Sequence, residues 1–246
     1  HAAAHDQVPQ RRHLVTAAEV AASTGTQAFA LGEEQRQIQQ MVRRLARERV
    51  APRADAIDRT AEYPQDMFEL LRDAGLFAIP FPAEYGGTGS MLSAAVAIEE
   101  LGRVCYNTAY LLVVQWVPFG AILGVPACPL FLDEVFAPEA NRFGEDGRGF
   151  KAVMDAFNKS RPLIGARGVG LAQGAIDLAI EFVQGRVTWG RAVSEYQGIR
   201  WMLADMSTQT EAARQLVYSA AAAVDAGLAG NALAPVAAMA KCFATD

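Results

Sequence analysis

The spacing of apolar residues predicts a chain built mostly from amphipathic helices. Residues 33–50 carry one apolar stripe at i, i+3, i+4 and i+7, which is typical of a helix that buries one face: Ile38, Met41, Val42 and Leu45. We expect Pro52 to end this helix, because proline lacks an amide proton and clashes with the preceding turn. Further helices are predicted over 64–75, which proline opens and glycine closes, and over 91–104, where Ser90 can cap the N-terminus.

The second half of the chain repeats this pattern with longer helices. Apolar faces predict helices over 151–183 and 197–225, and a last helix that begins near Ala234. Long helices with short connections are typical of a bundle. Residues 128–150 differ in character, and the apolar run 130–136 in this stretch could form a short strand.

Residues 109–127 form the most apolar stretch, since Gln115 is the one clearly polar side chain in it. That length could cross a bilayer. Pro118 and Gly120 interrupt the stretch, however, and no basic cluster marks either flank. We therefore favour a helix buried inside the bundle, and we expect no membrane span.

Composition excludes several functions. With 22 Lys and Arg against 27 Asp and Glu, the net charge of −5 argues against a nucleic-acid binder. Three scattered cysteines make no disulfide framework and favour a reducing, intracellular setting. The three histidines all lie within the first 13 residues, so the rest of the chain has no imidazole for a catalytic triad or a zinc site. Acid–base chemistry in that part falls to a carboxylate, Lys or Tyr, and we expect no metal.

Several blocks in one order resemble the acyl-CoA dehydrogenase family of flavoenzymes, and together they cover nearly all of residues 31–246. The blocks near the N-terminus are Phe81–Gly87 and Ile98–Gly102. The blocks in the second half are Phe157–Pro162, Gly168–Gln173, Arg186–Arg191, Gln197–Ile199, Met202–Met206 and Ala238–Ala244.

The resemblance implies a mainly α fold in three parts. Residues 31–127 correspond to the N-terminal helical domain, 128–150 to a remnant of the middle β-domain, and 151–246 to an incomplete C-terminal four-helix-bundle domain. About a hundred residues of the middle domain are missing. The Ala127–Cys128 bond is then either a junction of segments that are not neighbours in the complete protein or a genuine deletion. Residues 1–30 are interpreted as a tail or an expression remnant.

The resemblance implies FAD-dependent α,β-dehydrogenation of an acyl-CoA thioester, with electrons passed to an electron-transfer flavoprotein. In this family a glutamate removes the α proton and flavin accepts a hydride from the β carbon. One family position for that glutamate holds Ser160 here, and the other lies beyond Asp246, where we expect the catalytic residue. The carboxylates of this chain that we do not nominate as the base are Glu99, Glu100, Asp155 and Glu181.

The family pattern also assigns binding residues. Asn158 and Arg161 match the pair that contacts the CoA part of the substrate. The expected contacts with FAD, beginning with its pyrophosphate, are Arg186, Val187, Thr188, Trp189, Tyr196 and Gln197. A guanidinium and a hydroxyl suit a pyrophosphate, and an aromatic side chain can pack on a planar ring. The alternative is an inter-helix turn with Arg186 solvated, Trp189 as a core plug and Gln197 as a helix cap.

The helix around residues 110–119 would border the acyl tunnel in this fold, and its candidate lining residues are Tyr110, Leu111, Val114 and Val117. The family assembles as a homotetramer or dimer with FAD at the subunit interface, in the bacterial cytoplasm or the mitochondrial matrix. Two other functions stay open: a flavin monooxygenase or oxidase of the same fold, and a non-catalytic helical partner in a hetero-oligomer.

Overall fold

The computed structural model describes residues 31–116, 133–136, 138–142 and 144–246. The predicted tail, the Ala127–Cys128 junction and Val117 lie outside these residues. Most of the predicted strand 130–136 does too, and its described part, 133–136, contains no strand.

The first helical segment runs without interruption from residue 33 to residue 60. It consists of α1 (Glu33–Leu45), a π-helical turn (Ala46–Val50) and α2 (Ala51–Thr60). The prediction that Pro52 ends the helix is wrong. The wide π turn restarts the hydrogen-bonding pattern, so Pro52 falls in the first turn of α2, where a missing amide proton leaves no acceptor unpaired.

Three more helices complete the N-terminal half: α3 (Gln65–Asp73), α4 (Met91–Gly102) and α5 (Tyr106–Trp116). The predicted cap is confirmed, because the Ser90 hydroxyl accepts the backbone N–H of Ser93 at 3.0 Å. Helix α4 is buried along almost its whole length and forms the centre of the molecule.

The C-terminal half consists of α6 (Gly149–Gly185), a two-stranded hairpin of β1 (Val187–Thr188) and β2 (Arg191–Ala192), α7 (Gln197–Asp225) and α8 (Gly230–Thr245). The predicted helix over 197–225 is confirmed at both ends. Helix α8 begins at Gly230, four residues before the predicted start, and Pro235 lies inside it as the sixth residue. By length and composition alone α6 could cross a bilayer, yet much of one face is buried against α4 and α8.

Glycines set the distance between α6 and its neighbours. A Cβ atom on Gly170 would lie 2.4 Å from the carbonyl oxygen of Glu99, and one on Gly174 would lie 2.2 Å from that of Arg103. On the side of α8, a Cβ on Gly168 would lie 2.3 Å from the carbonyl oxygen of Ala244. Any side chain at these three positions would push the backbones apart, so the packing of α6 on α4 and α8 requires glycine.

A buried polar network joins the same helices. The Glu99 carboxylate on α4 accepts hydrogen bonds from Arg214 Nε and Tyr218 Oη of α7, both at 2.8 Å. The Arg214 guanidinium also donates to Gln173 Oε1 of α6 at 2.8 Å. Burial, together with Glu99, raises the pKa of Tyr218 well above its usual range, so its phenol stays a neutral donor. This network ties the N-terminal half to the C-terminal half.

We expect Gly170→Ala and Gly174→Ala each to lower the free energy of unfolding by about 2–3 kcal/mol, because the new methyl group meets fixed carbonyl oxygens. Chemical denaturation measures the loss. Gly149→Ala is the matched control, since it lies in the same helix with nothing within 4 Å of its Cβ position. That variant should be unchanged or more stable by up to about 1 kcal/mol. Equal stability of all three variants would contradict the close approach.

We expect Glu99→Leu to destabilise the fold by about 3 kcal/mol, because it leaves the half-buried Arg214 guanidinium with only the exposed Glu211 carboxylate and leaves the buried Tyr218 hydroxyl without its acceptor. Adding Arg214→Met should recover much of that loss, so the double variant should be far more stable than the sum of the single losses. The exposed Asp55–Arg59 pair is the control, and Asp55→Ala should cost less than about 1 kcal/mol. Additive losses in the double-mutant cycle would show that Glu99 and Arg214 are not coupled.

Candidate functional site

A cavity of about 400 Å³ lies where the N-terminal helices meet α6 and α7. One face of α6 supplies four lining residues at i, i+3, i+4 and i+7, namely Ala156, Lys159, Ser160 and Leu163. The other lining residues are Pro80, Phe81, Gly89, Met91, Trp116, Val224 and Asp225. The lining therefore combines apolar side chains with a cation and a hydroxyl from α6 and a carboxylate from α7.

The N-terminal wall of this cavity is held by hydrogen bonds. The indole N–H of Trp116 donates to the carbonyl oxygen of Phe77 at 2.9 Å, which fixes the ring against the turn after α3. The glycine-rich loop nearby folds back on itself: the Gly89 N–H donates to Phe81 O at 2.8 Å, and a Cβ on Gly87 would overlap the carbonyl oxygens of Ala78 and Phe81. These glycines thus shape the wall of the cavity.

Asp225, the last residue of α7, holds the first turn of α4 beside the cavity. Its carboxylate accepts the Ser90 hydroxyl at 2.9 Å and the backbone N–H groups of Met91 and Leu92 at 2.5 and 3.0 Å. An acidic residue at a helix C-terminus opposes the helix dipole, and that mismatch in the sequence could have identified Asp225. It interacts favourably instead with the N-terminus of α4.

The predicted CoA contacts lie beside the cavity and do not line it. Asn158 is 7% exposed, and its side-chain oxygen accepts a hydrogen bond from the Arg161 guanidinium one turn along α6. Their neighbours Lys159 and Ser160 face the cavity instead. The Ser160 hydroxyl donates to Phe157 O at 3.1 Å, while Lys159 is exposed. The contact of Asn158 and Arg161 with CoA stays a prediction.

The carboxylates that the sequence left without a catalytic role do not line this cavity. Burial raises the pKa of Glu99, whose oxygens are occupied by Arg214 and Tyr218. Glu100 is also buried and accepts two hydrogen bonds from Arg43. Both are structural ion-pair partners.

The acyl-lining candidates on α5 that the structure describes do not line this cavity, and their contact with an acyl group stays a prediction. Leu111 and Val114 are buried in the protein core, and Tyr110 lines a second cavity of about 500 Å³ together with Leu111. The Arg167 guanidinium lies 4.4 Å from the centre of the Tyr110 ring. Trp116, at the end of the same helix, supplies the wall instead, because the helical rotation turns the earlier residues toward the core.

The predicted cofactor segment forms a tight hairpin. Val187 pairs with Ala192 and Thr188 with Arg191. The two residues of the turn, Trp189 and Gly190, both have left-handed φ angles of 52° and 79°, as a type I′ turn requires. Trp189 is 96% exposed, so the interpretation of this residue as a core plug is wrong.

Side chains outside the turn brace this hairpin. The Tyr196 hydroxyl donates to Thr188 O at 2.8 Å, and the Arg191 guanidinium lies 3.9 Å from the centre of the Tyr196 ring. Arg191 holds the pKa of Tyr196 below its usual range. Gln197 is the first residue of α7 and makes no capping hydrogen bond there, so the helix-cap interpretation is also wrong within the described structure.

The hairpin thus presents a cation and an aromatic ring to solvent from a rigid support. Arg186 and Val187 are exposed, Thr188 is half-buried, and Trp189 stands at the tip. A guanidinium, a hydroxyl and an exposed ring suit a ligand with a diphosphate and a planar ring system. The residues present therefore fit FAD, although Tyr196 is already engaged within the hairpin.

Comparison with known proteins identifies both halves of the chain. The N-terminal domain of acyl-CoA dehydrogenases matches residues 32–123, and the C-terminal domain of acyl-CoA dehydrogenases matches residues 147–246, together 192 of 246 residues. A similar protein is the cyclohexane-1-carbonyl-CoA dehydrogenase of Geobacter metallireducens, which is 27% identical over 327 residues, covering 89% of this chain and 85% of the relative. That alignment is longer than the 246 residues of this chain, so at least 81 residues of the relative have no counterpart in this chain.

Solved structures share the fold. The butyryl-CoA dehydrogenase of Megasphaera elsdenii superposes with a TM-score of 0.75 at 22% identity, covering 88% of this chain and 85% of that one. A chain from the structure of the electron transferring flavoprotein of Acidaminococcus fermentans superposes with a TM-score of 0.75 at 24% identity. This match covers 88% of this chain and 84% of that one. On the two domain matches, the chain belongs to the acyl-CoA dehydrogenase family, which is a family of oxidoreductases.

Proposed function

We propose that this protein is an FAD-dependent acyl-CoA dehydrogenase that forms an α,β double bond in an acyl-CoA thioester. The observation that carries this proposal is the hairpin at residues 187–192, which presents Trp189 almost fully to solvent in a chain of this family. A left-handed tryptophan on the surface costs free energy in the free protein, because its large apolar ring stays hydrated and its backbone is strained. A planar ligand that covers the ring would offset that cost.

The residues of the hairpin have separable tasks in this proposal. Arg186 and Thr188 would hold the pyrophosphate of FAD, with the guanidinium supplying charge-assisted hydrogen bonds. Trp189 and Gln197 would contact the rest of the cofactor, and Tyr196 would keep the strand in place through its bond to Thr188 O. When bound, the flavin accepts the hydride that leaves the β carbon.

The cavity of about 400 Å³ is the proposed place of the acyl group, because Met91, Trp116 and Leu163 offer it apolar contacts and the exposed Lys159 lines the same cavity. The Ser160 hydroxyl cannot remove an α proton by itself at neutral pH. Asp225 is occupied by the first turn of α4. On the family resemblance, we propose that the base is a glutamate and that the residues lining this cavity do not supply it.

We further propose assembly into a homotetramer or dimer, with FAD between subunits. The support is the pair of exposed apolar side chains Leu178 and Phe182, which lie one turn apart on α6 and line a shallow pocket together with Arg186. Adjacent exposed apolar side chains are typical of interaction surfaces. An electron-transfer flavoprotein is the proposed electron acceptor and the bacterial cytoplasm or mitochondrial matrix the proposed location, both on the family resemblance.

We expect the purified protein to be yellow, and its visible flavin absorption to bleach on anaerobic addition of an acyl-CoA substrate. Absorption spectroscopy measures both. A protein that stays colourless after FAD is added would support the non-catalytic partner instead. Substrate-dependent oxygen consumption with a hydroxylated product would support the monooxygenase.

We expect Arg186→Ala to weaken FAD binding about 10- to 100-fold, since a charge-assisted hydrogen bond contributes about 1.5–3 kcal/mol. Trp189→Ala should weaken it about tenfold through the lost ring contact. Titration of the apoprotein with FAD, followed by flavin fluorescence, gives the two dissociation constants. Arg47→Ala and Tyr85→Ala are matched controls, because both side chains are exposed far from the hairpin in sequence and belong to the N-terminal half. Unchanged affinity in both hairpin variants would contradict this assignment of the cofactor site.

A further inference from the structure

The cavity of about 400 Å³ runs from an exposed rim to a buried floor. Along one turn of α6, Lys159 is exposed and Leu163 is buried, so the depth of the lining residues below the surface increases from Lys159 to Leu163. Across from α6 stands Trp116, which is half-buried. Lys159 therefore lies at the rim and Leu163 at the floor, and the Trp116 indole lies at an intermediate depth.

Trp116 is the largest side chain that lines the cavity, and its ring is held in place. Its indole N–H donates to Phe77 O at 2.9 Å, and its ring packs against the hydrophobic core. Rotation of the ring away from the cavity would break this bond and leave a part-buried carbonyl without its donor. The wall therefore resists a longer ligand by steric exclusion.

We propose that the Trp116 indole limits the length of the acyl chain that this cavity accepts and restricts the enzyme to short or compact acyl groups. This inference rests on the proposed function, because it assigns the acyl group to the same cavity. About 400 Å³ is near the lower end of the roughly 300–1,000 Å³ typical of ligand pockets. Met91 and Leu163 would contact the acyl chain beside the indole, and the CoA part of the bound thioester would extend out of the cavity past Lys159.

The proposal predicts how affinity depends on chain length. Each methylene that enters apolar surroundings strengthens binding about fourfold. In the wild type the gain should stop once the chain reaches the indole, and longer chains should bind no better or more weakly. Replacing the indole by a methyl group should let the gain continue over further methylenes.

The experiment measures dissociation constants of straight, saturated acyl-CoA thioesters of increasing length for the purified full chain with FAD added. Calorimetry is the readout, so no turnover is required. We expect Trp116→Ala to move the break in the length profile to longer chains and to tighten the longest ones at least tenfold. Trp116→Phe keeps an aromatic ring, preserves packing and loses only the anchoring N–H and one ring, so it should show a smaller shift even if the alanine variant folds poorly.

Tyr85→Ala is the matched control, because it removes an exposed aromatic side chain from the loop beside the cavity without touching its lining. This variant should keep the wild-type profile. If acyl-CoA binds and both Trp116 variants also keep that profile, the inference about Trp116 is wrong while the proposed function stands. If no acyl-CoA of any length binds the wild type, the proposed function itself fails.

Discussion

The contact between the backbones of α6 and α4 is the constraint on which the other features depend. Gly170 and Gly174 let the two helices approach so closely that a Cβ atom at either position would overlap the facing carbonyl oxygen. At that distance Gln173 of α6 can reach the Arg214 guanidinium that Glu99 of α4 binds. The same approach places Lys159 and Ser160 opposite the walls supplied by the N-terminal half. A wider crossing would open the cavity and separate the buried charges.

The buried ion pairs add orientation to this packing more than net stability. Taking Glu99 and Arg214 out of water costs free energy that their attraction offsets only when the geometry is good and the remaining donors are satisfied. Tyr218 and Gln173 satisfy them here. Because the partners come from three helices, a change in the crossing angle of α4 and α7 would separate the buried Glu99 carboxylate from Arg214, and a shift of α6 would remove the Gln173 acceptor. We infer that the network selects one arrangement among those that apolar packing alone would accept.

Much of the fold follows from local signals in the sequence, whereas the site depends on contacts between distant residues. The 3.6-residue repeat and the Ser90 cap predicted α4 and α7 because helix formation is decided within a few turns. The prediction that Pro52 ends the helix was wrong because proline is a strong sequence signal for a helix end, whereas the π turn before it has no sequence signal of similar strength. The lining of the cavity could not be predicted, since it depends on which face of α5 meets α6. The local mismatch with the helix dipole singles out Asp225, but its partner Ser90 lies more than a hundred residues away in the chain and no local pattern identifies that contact.

For the hairpin, the structure decides between two interpretations that the sequence leaves open. From the sequence alone, Trp189 could pack in the core or contact a cofactor. The usual burial of tryptophan side chains favours the core. The pairing of Val187 with Ala192 fixes a two-residue turn, and a two-residue turn forces its first residue outward with a left-handed backbone. Glycine or asparagine would occupy that position at lower cost. A tryptophan there stabilises nothing within the described structure, so its presence is best explained by a ligand or subunit that packs on the ring.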